Sequence, residues 1–142
     1  MSDYDLILAK LRADLELPDT SIRAAINEEW AVKNALAPSV NVIYFDDVPT
    51  DGDKGRPTPR SQYHDRWWLI IVTTRNVADA GIKAVAESEQ HRDAVLKSLL
   101  GCDLRGDRLY MRQEKSGRRY TVRGEYVHNP LMFSHRHLKK LL

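Results

Sequence analysis

Hydrophobic and polar positions along this chain alternate between a helical period and a strand period. Over residues 3–16 the stripe Tyr4, Leu8, Leu11 and Leu15 recurs at helical spacing, with Asp3 placed to cap the start. Leu17-Pro18-Asp19 stops that helix, because the residue before proline disfavours helical backbone. A second helical piece is expected from a Thr20 or Ser21 cap toward Leu36, on the stripe Ile22, Ile26, Trp30 and Lys33, ended by Ala37-Pro38. The period then changes. Val40, Val42 and Tyr44 share one strand face, and Asn41, Ile43 and Phe45 share the other. Trp67 to Val72 is apolar on both faces, as in a central strand covered on both sides.

Downstream, Asn76 or Asp79 is placed to cap a long helix reaching about Leu100, with Ile82, Val85, Ala86, Glu89, Arg92, Val95, Leu96 and Leu99 defining its faces. Its middle, Glu87 to Asp93, is polar all round, and Gly101 is the expected C-terminal stop. Arg108–Arg112 and Arg119–Arg123 read as short strands joined by a turn over 113–118. Glu125–His128 extends the second strand, and Asn129-Pro130 is expected to break it. The segment after Pro130 reads as either a last strand or a short helix. The order α(α)–β–long loop–β–α–β–β–tail predicts one α+β domain over residues 1–142. In it a small antiparallel or mixed sheet packs against one long helix plus an N-terminal helix, with the helices on one face.

The two strand signals bracket a polar stretch, residues 46–65, with charges sorted by sign. Asp46, Asp47, Asp51 and Asp53 come first, and Lys54, Arg56, Arg60 and Arg66 follow. Three prolines (49, 57, 59) and two glycines (52, 55) argue against regular structure within it. Loops of this length in compact domains are usually functional or disordered.

Composition narrows the classes. Hydrophobic residues at 42% and charged residues at 30% fit a globular chain somewhat richer in charge than average. The apolar run Trp67–Val72 is far too short to span a bilayer, and the acidic N-terminus lacks a basic region followed by an apolar stretch. Neither a membrane partner nor a secretory signal is expected. The single cysteine, Cys102, excludes an internal disulfide and reads as a structural thiol. Net charge is +2, but from Arg105 onward ten Lys/Arg face three acids, so residues 1–104 carry −5 and the remainder +7. That asymmetry suits either a nucleic-acid surface or two complementary faces in a head-to-tail assembly.

Candidate chemistry is thin. His135 and His137 share a strand face and could meet one ion, but no third ligand is evident nearby. The four aspartates do not follow the ligand alternation of a calcium loop. No phosphate loop, nucleophile elbow, cysteine pair or zinc-protease motif is present, so neither a cofactor nor catalysis is expected. The basic segment 108–123, with Tyr110 and Tyr120 among its arginines, is an alternative nucleic-acid-binding module. Trp67 and Trp68 point to opposite faces of one strand, both expected in the core.

Several of these segments carry a family resemblance over roughly residues 3–128. They are the N-terminal helix, Val40-Asn41-Val42-Ile43-Tyr44-Phe45, a variable loop, Trp67 through Asn76, a helix closing on Val95-Leu96-Lys97-Ser98-Leu99-Leu100-Gly101, and a pair of strands. This order resembles the small tail-terminator and tail-completion proteins of long-tailed bacteriophages, including those of Mu-like prophages. The basic segment 130–142 departs from the pattern, which is expected to end soon after the last strand. The resemblance implies a non-enzymatic virion protein, assembled in the bacterial cytoplasm. It implies a hexameric ring that caps the tail tube and joins it to the head. Its partners would be other copies of itself, the tail tube protein and head–tail connector proteins, with DNA met only by passage through the ring. On that reading the interface residues are Asp46, Asp47, Asp51, Asp53, Lys54, Arg56, Arg60, Arg66, Arg112, Arg118 and Arg119.

Overall fold

The computed structural model describes residues 2–50, 61–75 and 82–140, the side chain of Lys140 excepted. Helix α1, Asp3–Asp14, starts on a capping box in which Ser2 and Asp5 satisfy each other's backbone N–H. Ser2 rather than Asp3 therefore caps it, and Asp3 is buried. Ile7, Leu8 and Leu11 fill its inner face.

The second helical stretch divides. A 3-10 turn at Asp19–Ser21 leads into strand β1, Ile22–Ala25, and helix α2 is only Glu28–Lys33. Ile22 and Ala25 point into two different cores from β1, and Ile26 is left 78% exposed, so the expected helical stripe does not exist. Asn27 restarts the helix by accepting the Trp30 N–H at 2.8 Å.

Strand β2 runs Ser39–Pro49 and β3 runs Ser61–Arg75, both longer than their apolar centres. Residues 46–49 and 61–65, read as loop from sequence, are strand. Antiparallel pairing carries the polar residues along: Asp47 opposes Arg66 and Val48 opposes Asp65. A bulge between Tyr44 and Asp46 shifts the register by one. Pro49 is tolerated as the last residue of its strand.

Helix α3 is described over Ile82–Leu99, and the expected Asn76 and Asp79 caps fall beyond the described residues. Its buried face is Ala84, Ser88, Val95, Ser98 and Leu99. The polar middle packs through the small side chain of Ser88, which accepts from the Asn129 amide at 3.3 Å. Ile82 is instead 71% exposed. Gly101, at φ +73°, ends the helix as expected.

Strands β4, Arg112–Glu114, and β5, Thr121–Arg123, do not form the predicted hairpin with each other. Each instead pairs antiparallel with β6, Tyr126–Lys140. Asn129-Pro130 does not break β6, and the expected basic tail is its continuation. Pro130 falls where neither β4 nor β5 pairs with β6, at a position where a missing N–H costs no ladder bond on that side.

The sheet order is β1-β2-β3-β6-β4, with β5 also on β6. Among the described residues only the β1–β2 pairing is parallel, so the α+β sheet is mixed. Helices α1 and α3 cover one face over Val40, Val42, Trp68, Ile70, Val72, Leu131 and Phe133. On the other face, α2 packs Ala31 against Ile43, Leu69, Ile71 and Met132. Helices thus lie on both faces, not one. Trp68 is fully buried in the larger core, whereas Trp67 only borders the smaller one. Half-buried Cys102 packs against the larger core, and that burial raises its thiol pKa.

Candidate assembly surfaces

Past Trp68 and Phe133 the helix-covered face of the sheet turns polar. Successive rungs bring Arg66 opposite His135 and His64 opposite His137. The first turn of α1 lays Asp3 over them. Arg66 and Arg105 both donate to the Asp3 carboxylate, and His135 Nε2 sits 3.9 Å from it. Arg66 also reaches Asp47 at 3.5 Å, and so bridges two carboxylates. Asp47 accepts from His137 Nε2 at 2.9 Å and from Lys139 at 3.4 Å. Burial pushes the Asp47 pKa up, but the His137 hydrogen bond and the charges of His137, Arg66 and His64 prevail, and it ends below the usual value. His135 stacks on Trp68 with ring centres 6.3 Å apart. Burial lowers its pKa; Asp3 opposes this, while His137, Arg66 and Arg105 reinforce it.

The opposite face carries a second set. Asp65 on β3 forms an ion pair with Arg112 at 3.3 Å and accepts from Arg136 Nε at 3.4 Å. Arg112 also meets the Ser134 hydroxyl at 3.1 Å, and Ser134 donates to Glu114 at 2.7 Å. Arg118, in the connection between β4 and β5, pairs with Glu28 at 3.2 Å and lies over the Phe45 ring at 5.1 Å.

The residues picked out in the sequence therefore separate. Asp47 and Arg66 come together in the polar network. Arg112 and Arg118 are each engaged by an acid of the same chain. Asp46, on the bulge, is exposed, and so is Arg119. Asp51, Asp53, Lys54, Arg56 and Arg60 lie outside the described residues. The charge asymmetry along the chain is partly cancelled in space, because Asp3, Glu28 and Asp47 of the acidic part meet Arg105, Arg118 and Lys139 of the basic part. Sequence reasoning missed Asp3, Glu28, Asp65 and Arg105. Asp65, beside Arg66 at the edge of the central strand, was the most accessible of these. His135 and His137 do share a face, but they point to different carboxylates. Among the described residues no group of three or more potential ligands is placed to hold a metal ion.

The whole of this sheet, with all three helices, falls within residues 1–140, and over those residues the chain matches the family model for the phage tail terminator protein. The chain belongs to the phage tail terminator family. It is thus a structural protein of a phage-type virion tail. Among solved structures, a chain of the virion of a native gene transfer agent particle is similar at 20% identity. The match covers 94% of this chain and 92% of that one, with a TM-score of 0.60. At that identity the likeness speaks for the fold alone. No curated protein matches the chain.

Proposed function

We propose that this tail terminator is the subunit of a closed, six-copy ring that ends the tail tube and joins it to the head, a structural rather than catalytic role. Its partners are other copies of itself, the tail tube protein and head–tail connector proteins, and DNA is met only as it passes through the ring. The observation that carries this reading is the family match across residues 1–140.

The sheet's two flanks support it. A head-to-tail ring needs two different surfaces on each subunit. Past Ile43, β2 has no strand on its outer side among the described residues, and it exposes Phe45, Asp46 and Val48. Past Ser134, β6 likewise lacks an outer strand among the described residues, and it exposes Arg136 and Lys139. Asp46 on one flank is opposite in sign to the partly exposed heads of Arg136 and Lys139 on the other. Those heads already pair with Asp65 and Asp47, and a neighbour's carboxylate there favours one docking register over others. On β2, Tyr44 N–H donates to Tyr4, Asp47 N–H donates to Asp46, and Pro49 has no N–H. Contact on that flank is therefore through side chains and not through an added strand. Within the charge-sorted segment, Asp46 belongs to this contact surface, while Asp47 and Arg66 shape it from inside the subunit.

Light scattering coupled to sizing across concentration tests the ring, with and without the cognate tail tube protein. A discrete oligomer near six copies is expected. A monomer under every condition, tube protein included, overturns it. Reversing Asp46 to Arg should weaken the oligomer, and Arg136→Glu in the same chain should restore it if those flanks meet.

A further inference from the structure

A cleft of about 470 Å³ opens between α2 and β5, on the sheet face away from α1 and α3. Val32, Ile71 and Pro130 give it an apolar lining. Lys33, Arg119 and Arg123 bring three cations, and Glu28 and Glu29 two carboxylates. Glu28 is already engaged by Arg118, so the lining presents a cationic excess. His128 closes the cleft at β6. It is 3% exposed, its Nδ1 is bonded to the buried Thr73 hydroxyl at 2.9 Å, and its Nε2 has no partner. Few buried polar atoms in folded proteins lack a partner, and each one raises the question of what satisfies it.

We propose that this cleft is a docking site for an acidic peptide segment of a partner protein, with an apolar side chain over Val32 and Ile71 and a carboxylate held by Arg119, Arg123 and His128 Nε2. The chemistry is that of a single carboxylate beside an apolar group. With Thr73 donating to Nδ1, Nε2 carries the imidazole proton and donates to the incoming oxygen. Arg119 and Arg123 add charge-assisted hydrogen bonds. Glu29 in the lining disfavours a run of phosphates more than it does a single carboxylate, which can avoid it. Burial, reinforced by Arg123 and opposed by Glu28, lowers the His128 pKa and keeps the ring neutral. The site does not depend on ring formation by this chain.

The test is a titration of the full chain with a short peptide alternating glutamate and leucine, followed through the imidazole nitrogen resonances. A saturable shift at His128 Nε2 is expected, with at least a tenfold loss of affinity in the exposed double variant Arg119→Glu, Arg123→Glu. Glu29→Gln should bind the peptide several-fold more tightly. Unchanged affinity in the double variant, or a titration that leaves His128 unmoved, overturns the site. So does a thymidine oligonucleotide that moves His128 at lower concentration than the peptide.

Discussion

Asp3 and Arg66 lie 63 residues apart in the chain, and the Arg66 guanidinium donates directly to the buried Asp3 carboxylate. This pairing fixes the first turn of α1 over the point where the apolar core gives way to polar rungs. It also explains why Ser2, not Asp3, caps the helix. Asp3 is turned inward to serve the sheet.

Removing either partner leaves a charge in a poorly solvated place. Breaking a buried pair typically costs about 3–5 kcal/mol. Asp3→Ala takes the shared carboxylate from Arg66 and Arg105, but Arg66 keeps Asp47 and both cations are partly exposed, so a loss toward the lower end is expected. Arg66→Ala leaves the buried Asp3 carboxylate with Arg105 as a remaining partner, so the lower end of that range is expected for it as well. Urea unfolding of both variants measures it. A loss well under 1 kcal/mol for Asp3→Ala would mean that the network does not anchor the helix.

The two adjacent tryptophans should differ sharply. Trp68 is fully enclosed between Tyr4, Tyr44 and His135, with the two tyrosines edge-on at 4.9 and 5.6 Å. Trp68→Ala should cost about 3–5 kcal/mol. Trp67 only borders the smaller core, and Trp67→Ala should cost clearly less. Thermal melts of the pair settle the order, and equal losses would contradict the assignment of faces.

Much of the fold was legible where a period ran undisturbed. Leu8, Leu11 and Leu15 marked α1, and Val40–Ile43 and Trp67–Val72 marked the apolar centres of β2 and β3. What was not legible came from tertiary pairing. Asp46-Asp47 and Asp65-Arg66 look like loop by composition, yet the ladder between β2 and β3 extends through them because their charges find partners across it. Pro130 looks like a breaker, yet it sits at the gap between β4 and β5. Ile22, Ile26 and Trp30 imitate a helical stripe, but pairing with β2 overrides that local pattern. The surface was harder still. Sequence separated acids from bases, and the fold then joined many of them, so linear charge bias overstated the charge left free for a partner.

Arg118 offers a test of that last point. It holds Glu28 and lies over Phe45, and both contacts are at the surface. Exposed pairs contribute about 0.2–1 kcal/mol, and so Arg118→Ala should cost no more than about 1 kcal/mol in the isolated chain. If the flank carrying Phe45 meets a neighbouring copy, the same variant should weaken the oligomer by more than this loss of fold stability. Sedimentation and melting measured on one preparation compare the two, and parallel small changes would confine Arg118 to an internal role.

Acid should loosen the fold in two stages, and the sign follows from His135, His128 and Asp47. Burial is the main reason that both histidines hold pKa values below the ordinary 6.5. Between that value and the depressed folded one, the unfolded chain binds more protons than the folded chain, so stability rises with pH there. Their contribution is complete above about pH 6.5 and is lost as pH falls toward the folded values, below which the slope ends. Asp47 acts lower down. Its folded pKa lies below the ordinary 3.8, so its contribution is intact above that value and disappears as pH falls through the folded one. His135→Phe should flatten the upper stage by up to about 1.4 kcal/mol per pH unit while leaving the lower one in place. Urea midpoints measured from about pH 8 to about pH 3 resolve both stages. An upper slope unchanged in His135→Phe would assign the acid sensitivity to His128 or another group, and would show that His135 is not kept neutral by its burial against Trp68.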